Sequence, residues 1–137
     1  MIIGIPAEQT RHEKRVALSP GSVAAAIKLG FAVCVETGAG SPSGFSDEDY
    51  RQAGATVTTV REQVYAADVF FKLTPFAAVE LEQLKSEALV ICFFQIKDEL
   101  RHARLYQEKS LSLISMNYLP RISRAQNMDA LSSQSNI

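Results

Sequence analysis

The stretch Leu89-Val90-Ile91-Cys92-Phe93-Phe94 is apolar at every position. A strand with apolar side chains on both faces is typical of a parallel sheet that helices cover on both sides. Similar short apolar runs recur along the chain, separated by helix-length segments. We therefore predict a doubly wound, mostly parallel α/β sheet with helices on both faces, of the flavodoxin-like or Rossmann-like kind. The predicted strands are 2–5, 31–35, 55–57, 67–73, 89–94 and 111–115.

Helix boundaries follow from capping residues. Ser19 is predicted to cap a helix with Pro20 in its first turn, and Gly30 is predicted to end it. Ser46 is predicted to cap a short acidic helix. The stretch Thr59-Val60-Arg61-Glu62 has the pattern of a capping box that opens another helix. Further helices are expected at 79–84 and 98–109.

Length and composition indicate one domain and exclude several function classes. The chain has 137 residues, of which 47% are hydrophobic and 21% charged, with a net charge of −1. This balance lacks the broad basic face that nucleic-acid binding needs. No apolar run approaches the roughly 18–20 residues that span a bilayer, and the start does not look like a signal peptide. We expect a cytoplasmic domain with no metal site, in which Cys34 and Cys92 are buried without a disulfide.

Several polar groups follow predicted strands and are candidate ligand contacts. Ligands of open α/β sheets bind at the carboxyl ends of the strands. Arg15 belongs to a charged stretch after the first strand, which otherwise reads as a solvated loop. Lys72 ends the fourth predicted strand, and it is either an edge lysine that reaches solvent or a ligand contact. The glycine-rich loop 38–44 has GxGxxxG spacing broken by Pro42, so we do not interpret it as a dinucleotide loop.

The densest polar stretch is 120–129. Arg121, Gln126 and Asp129 offer planar donors and an acceptor, which suit a carboxamide and ribose hydroxyls. A surface loop is the alternative interpretation. The last residues, 129–137, read as the start of a helix that is cut short, which indicates a truncated chain.

Five motifs are similar to those of the alanine dehydrogenase and transhydrogenase α-subunit family. The stretch 120–136 resembles the transhydrogenase branch most closely. Alanine dehydrogenases have a histidine where this chain has Gln95. That difference favours transhydrogenation, because alanine dehydrogenase needs a general acid/base and direct hydride transfer between nicotinamides does not. The turn Leu73-Thr74-Pro75-Phe76 departs from the family pattern. The motifs lie at 3–8, 13–20, 35–40, 71–73 and 120–136.

The resemblance implies an NAD(H) cleft between two lobes, of which residues 1–137 form a single N-terminal lobe. By family analogy, Arg121, Gln126, Asp129 and Ser132 contact the nicotinamide end of NAD(H). Arg15 and Lys72 match positions that bind the substrate in alanine dehydrogenases, and no catalytic residue is expected in this lobe. The lobe that carries the GxGxxG turn is absent from this chain, so we expect the chain to be inactive alone.

The resemblance also implies partners. In the complete enzyme these are an NADP(H)-binding domain and a membrane domain that couples hydride transfer to proton translocation. The complete enzyme is expected to dimerise at the cytoplasmic face of a bacterial inner membrane. Two other interpretations remain open: an alanine dehydrogenase-like oxidoreductase lobe, and a free-standing lobe without enzymatic activity.

Overall fold

The computed structural model describes residues 1–8, 14–94 and 99–116. They form one six-stranded sheet in the order β3-β2-β1-β4-β5-β6, and every pairing is parallel. The predicted doubly wound parallel sheet is confirmed, and the strand order is the Rossmann-like one of the two alternatives. The strands are β1 Ile2–Ile5, β2 Ala32–Glu36, β3 Thr56–Thr58, β4 Val69–Phe71, β5 Leu89–Cys92 and β6 Ser112–Ser115.

Short helices connect the strands. Two single 3₁₀ turns accompany them, at Ser41–Ser43 and at Leu100–His102. The predicted helix at 79–84 starts earlier and is shorter than expected. Within the described part of the predicted helix at 98–109, the second 3₁₀ turn leads into a helix that ends at Glu108. The helices are α1 Pro20–Lys28, α2 Asp47–Gln52, α3 Arg61–Tyr65, α4 Ala78–Leu81 and α5 Ala103–Glu108.

Two of the three predicted N-caps are confirmed, as is the predicted end of α1 at Gly30. Ser19 accepts a hydrogen bond from the Ser22 N–H at 3.3 Å, and Gly30 follows α1 with φ of +101°. Ser46 caps α2 through a reciprocal capping box with Asp49.

The capping box predicted at 59–62 is wrong. Val60 is the N-cap of α3 and makes no side-chain cap bond. The Thr58 hydroxyl instead accepts from the Val60 N–H at 3.0 Å and donates to Gln63 at 2.7 Å. Thr58, two residues before the N-cap, therefore fixes the start of α3. The four-residue capping-box pattern does not include this residue, so it does not account for the competing hydrogen bonds.

Each face of the sheet has its own core. We call the side covered by α1 and α2 the first face; Ile3, Val35, Val69 and Ile91 point to it. The opposite, second face is covered by α3, α4 and α5, and its core includes the following buried side chains: Tyr65, Phe70, Leu81, Val90, Cys92 and Tyr106.

Gly4 lets α3 pack closely on the centre of the sheet. A Cβ at this position would lie 2.8 Å from both the Ala67 Cβ and the Val64 carbonyl oxygen. Any side chain here would push α3 away from β1.

Cys92 is buried and Cys34 is half-buried, and both are free thiols. Both cysteines were predicted to be buried, and Cys34, on β2, is buried only in part.

Candidate functional site

The strand order reverses at β1. From β1 the chain moves outward through β2 to β3, and it then returns to the other side of β1 to build β4, β5 and β6. Ligands of open α/β sheets bind in the crevice outside the carboxyl ends at such a point. The residues that follow β1 and β4 are therefore the candidate site.

A buried ion pair lies at this point. The Lys72 Nζ is 3.3 Å from the Glu8 Oε1, and the two side chains are only 1% and 5% exposed. The Lys72 Nζ also donates to the Thr74 hydroxyl at 3.2 Å and lies 5.3 Å from the centroid of the Phe76 ring. These contacts compensate a lysine charge that would be costly to bury alone.

The Glu8 carboxylate also anchors the turn after β4. It accepts hydrogen bonds from the backbone N–H groups of Leu73 and Thr74 at 3.0 and 3.1 Å, and from the Thr74 hydroxyl at 2.7 Å. No buried side-chain nitrogen or oxygen in the described part of the chain lacks a partner. The turn that departs from the family pattern thus has a defined role, because Thr74 and Phe76 both contact the pair.

Ala7, which precedes Glu8, is bonded to β2, the strand on the other side of β1. The Ala7 N–H donates to the carboxylate of Glu36, at the end of β2, at 2.9 Å. Glu36 is buried and also accepts from Arg61 Nε at 3.2 Å. Ala7 and Glu8 therefore connect the carboxyl end of β1 to those of both neighbouring strands.

The segment that resumes at residue 14 runs along the same edge. Its backbone is held at Lys14, whose carbonyl accepts from the Ser43 hydroxyl at 2.6 Å, and at Leu18, whose carbonyl accepts from the Tyr50 hydroxyl at 2.9 Å. Arg15 is exposed between these two anchors. Beside this segment is a small cleft of about 60 Å³, lined by Ala17, Leu18, Phe71, Lys72, Leu73, Ile91, Phe93 and Met116.

The glycine-rich loop is bonded at its start to the first residue of α2. The Gly38 N–H donates to Asp47 Oδ1 at 2.9 Å, and the Thr37 hydroxyl donates to the other oxygen of the same carboxylate. These two bonds lower the pKa of Asp47. An ionised carboxylate at this loop would repel a phosphate, which agrees with the interpretation that it is not a dinucleotide loop.

The thiol near the ion pair is buried. Burial, followed by the nearby carboxylates of Glu99 and Glu8, raises the pKa of Cys92 to about 12, although Lys72 acts in the opposite direction. Burial also raises the pKa of Cys34. Because the thiolate is the nucleophile, these raised pKa values disfavour a catalytic role for either cysteine near neutral pH.

The predicted site residues divide into two groups. Lys72 lies at the switch point and Arg15 lies along the same edge, whereas Arg121, Gln126, Asp129, Ser132 and Gln95 lie outside the described residues. Of the two alternatives for Lys72, the solvent-reaching edge lysine does not match its burial. Contact with a ligand stays a prediction.

Glu8 was not predicted to pair with Lys72, and Glu36 was not predicted at all. One signal was available for Glu8: a lysine that ends an apolar strand needs a carboxylate, and Glu8 follows another apolar strand.

Within the described ranges, no helix is long and apolar enough to cross a membrane. In the same residues, no group of three or more His, Cys, Asp or Glu side chains could hold a metal ion.

The family model and the most similar curated relatives point to the same protein family. The family model "Alanine dehydrogenase/PNT, N-terminal domain" matches residues 4–137. The NAD(P) transhydrogenase subunit alpha of Haemophilus influenzae is 37% identical over 137 residues, and that of Cereibacter sphaeroides is 41% identical over 138; both matches cover the whole of this chain. The chain spans only 27% and 26% of these two relatives.

Two solved structures have the same fold. The transhydrogenase from Sinorhizobium meliloti is 38% identical, with a TM-score of 0.84, over 99% of this chain and 41% of that one. An L-alanine dehydrogenase is 30% identical, with a TM-score of 0.78, over 84% of this chain and 32% of that one.

Proposed function

Because the chain belongs to the alanine dehydrogenase/PNT N-terminal domain family, we propose that it forms one wall of the NAD(H) cleft of an NAD(P) transhydrogenase. The observation that carries the proposal is the 37–41% identity to transhydrogenase α subunits over the whole chain. The overall reaction would be hydride transfer between NAD(H) and NADP(H), coupled to proton translocation.

The chemistry of the switch point supports this choice. Lys72 is held by Glu8, so the crevice has a compensated charge at the position where an alanine dehydrogenase would bind its substrate. By the family resemblance, Gln95 stands where alanine dehydrogenases have a histidine that could transfer protons. A glutamine at this position cannot transfer protons as a histidine could, which suits a reaction in which the protein orients two rings and excludes water.

The donor groups fit the nicotinamide end of the cofactor. In this proposal Arg121 and Gln126 hold the carboxamide and the ring plane, while Asp129 and Ser132 hold the carboxamide and the nearby ribose. Bound NAD(H) supplies the hydride. The pyrophosphate is not expected to bind at the described glycine-rich loop, because the Asp47 carboxylate occupies the Gly38 N–H.

The remaining parts of the function come from other domains. A GxGxxG lobe would bind the pyrophosphate and adenosine, a partner domain would bring NADP(H), and a membrane domain would couple the reaction to protons. We propose a homodimer at the cytoplasmic face of a bacterial inner membrane. The chain alone would then carry out no transhydrogenation.

NADH titration by calorimetry tests the proposal. The chain is compared with a chimera in which it replaces the matched part of the Sinorhizobium meliloti transhydrogenase. We expect saturable binding by the chimera and none by the chain alone. Arg121→Ala and Asp129→Ala should each weaken binding by about tenfold, the loss expected for one hydrogen bond to a charged group. Arg51→Ala on exposed α2 is the matched control.

Two outcomes contradict the proposal. Tight binding by the chain alone would indicate a self-sufficient lobe. Alanine-dependent NADH formation by the chimera would favour the alanine dehydrogenase alternative, which the L-alanine dehydrogenase structure keeps as the second candidate.

A further inference from the structure

The Lys72 ammonium has protein partners that match its bonding capacity. An ammonium has three N–H donors and no acceptor. The Lys72 Nζ donates to Glu8 Oε1 at 3.3 Å and to the Thr74 hydroxyl at 3.2 Å, and it lies 5.3 Å from the centroid of the Phe76 ring. The Lys72 side chain is 1% exposed. A ligand that bound this ammonium would therefore have to displace one of these partners.

Thr74 is itself held in a fixed orientation by Glu8. Its N–H donates to Glu8 Oε1 at 3.1 Å, and its hydroxyl donates to the same oxygen at 2.7 Å. Because the hydroxyl proton is used in that bond, the hydroxyl oxygen is left to accept from Lys72. The hydroxyl thus joins the two members of the ion pair, and a turn residue without a hydroxyl could not do so.

The Phe76 ring is fixed by the core of the second face. It is 1% exposed and packs edge-to-face against Phe70, at 5.5 Å between ring centroids, and against Tyr65, at 6.0 Å. An aromatic ring attracts a cation that lies within about 6 Å of its centroid, and more strongly where water is excluded. The ring that attracts the Lys72 ammonium is therefore part of a packed core and has little freedom to move.

The position of Lys72 makes these contacts relevant to substrate choice. By the family resemblance, Lys72 matches a position that binds the substrate in alanine dehydrogenases, whose oxidised product is a 2-oxo acid. Lys72 also lines the small cleft beside Ala17, from which a carboxylate could approach it. Thr74 and Phe76 lie in the turn where this chain departs from the family pattern. Two of the three partners of the ammonium thus come from the part of the chain that differs.

We propose that Thr74 and Phe76 determine specificity by positioning the Lys72 ammonium on Glu8, so that it does not bind the carboxylate of a 2-oxo acid. Lys72 is then a structural lysine, which is the alternative to a ligand contact. The inference rests on the proposed function for the reaction that is excluded, but it requires no bound NAD(H). Each hydrogen bond of the ammonium that a carboxylate had to replace would weaken its binding by about tenfold.

The test measures how fast an amine reagent modifies Lys72 in the chain alone, by mass spectrometry of its peptides. Lys85 is the internal reference, because it is also paired, with Asp68, but its side chain is 54% exposed. At neutral pH we expect Lys72 to react at least about tenfold more slowly than Lys85, because its partners stabilise the unreactive ammonium and limit access. In the double variant Thr74→Val/Phe76→Leu, the ratio of the two rates should rise by about tenfold.

Gly40→Ala is the control for partial unfolding. It is expected to destabilise the core of the first face, away from Lys72, so any rise in the ratio that it shares with the double variant reflects unfolding. Thr74→Val alone should give a rise of about threefold if the double variant does not fold. Equal rates at Lys72 and Lys85 in the unsubstituted chain would overturn the proposal. So would a rise in the Thr74 variants that is no larger than the rise in Gly40→Ala.

A second measurement uses oxamate, an unreactive analogue of pyruvate, titrated by calorimetry into the Sinorhizobium meliloti chimera with NADH present. We expect no saturable binding at millimolar concentrations, or binding that Lys72→Met leaves unchanged. Saturable binding that Lys72→Met abolishes would overturn the proposal, because the ammonium would then hold the carboxylate. The modification rates involve neither NADH nor the chimera, so this proposal and the proposed function can fail separately.

Discussion

The Lys72 ammonium and the Glu8 carboxylate lie 3.3 Å apart, although 64 positions separate the two residues in the sequence. Their contact joins the ends of β1 and β4, the two strands between which the sheet order reverses. The crevice at this point is therefore held by a compensated ion pair that is shielded from water.

We predict unequal effects when the two members of the pair are removed. Glu8→Ala leaves a buried ammonium and takes away the acceptor of two backbone N–H groups, so we expect a loss of about 3–5 kcal/mol in the free energy of unfolding. Lys72→Met leaves the carboxylate with its bonds to Leu73 and Thr74, and we expect a smaller loss of about 1–3 kcal/mol. Urea denaturation measures both values.

The control for this pair is an exposed one. Arg51 and Glu48 are 3.5 Å apart, and their side chains are 53% and 63% exposed. Glu48→Ala should therefore change the free energy of unfolding by less than about 1 kcal/mol. If Lys72→Met lowered the free energy of unfolding as much as Glu8→Ala, the hydrogen bonds from the Leu73 and Thr74 N–H groups to Glu8 would not contribute more than the ion pair.

We predict opposite effects for two glycine substitutions. A Cβ at Gly40 would lie 2.6 Å from Tyr50 Cε2, inside the packed first-face core. Gly40→Ala should therefore lower the free energy of unfolding by about 1–3 kcal/mol. At Gly21, in the first turn of α1, the nearest atom would be 3.8 Å away. Gly21→Ala should be neutral or stabilising by up to about 1 kcal/mol. A cost at Gly21 similar to that at Gly40 would show that steric contact with Tyr50 is not the cause.

The buried tyrosines predict alkaline unfolding. Burial, followed by Asp49, raises the pKa of Tyr50 to about 12, and burial also raises the pKa of Tyr65 and Tyr106. The unfolded chain releases these protons near pH 10, so this contribution to stability is complete below pH 10 and is lost as the pH rises toward 12. Ultraviolet absorbance of tyrosinate and circular dichroism, recorded together, should change in the same pH range.

Tyr50→Phe provides the check on this pH dependence. Its free energy of unfolding should fall less steeply between pH 10 and 12 than that of the unsubstituted chain, because one of the shifted groups is gone. Ionisation of all the tyrosines near pH 10 in a chain with native dichroism would contradict the prediction.

The two thiols should differ in reactivity. Cys34 is half-buried, whereas Cys92 is buried with a pKa raised to about 12. At neutral pH we expect a disulfide reagent to modify Cys34 slowly and Cys92 only after unfolding, because both access and thiolate formation limit the reaction. The single variants Cys34→Ser and Cys92→Ala assign the two phases. Faster reaction of Cys92 in native buffer would be evidence against the packing around β5.

The fold could be predicted largely because its signals are local. The apolar run 89–94 indicated a parallel strand, and Ser19 and Ser46 marked helix starts that the structure has. The prediction at 59–62 failed because Thr58, outside the pattern, forms the competing hydrogen bonds. Strand β4 ends at Phe71, earlier than predicted, where Lys72 and Leu73 turn toward Glu8.

The site was harder to predict because it depends on strand order. Lys72 could be singled out as a charge at the end of an apolar run. Its pairing with Glu8 requires β1 and β4 to be neighbours, and no local pattern states this.

The central position of β1 has a consequence for folding. In the described sheet, β1 joins the pair β2–β3 to the trio β4–β5–β6, because it pairs with β2 on one side and with β4 on the other. β1 precedes both of its partners in the sequence, and the second partner, β4, is complete only at residue 71. Since non-local strand pairing is slow, β1 must wait for β4 before the two halves become a single sheet.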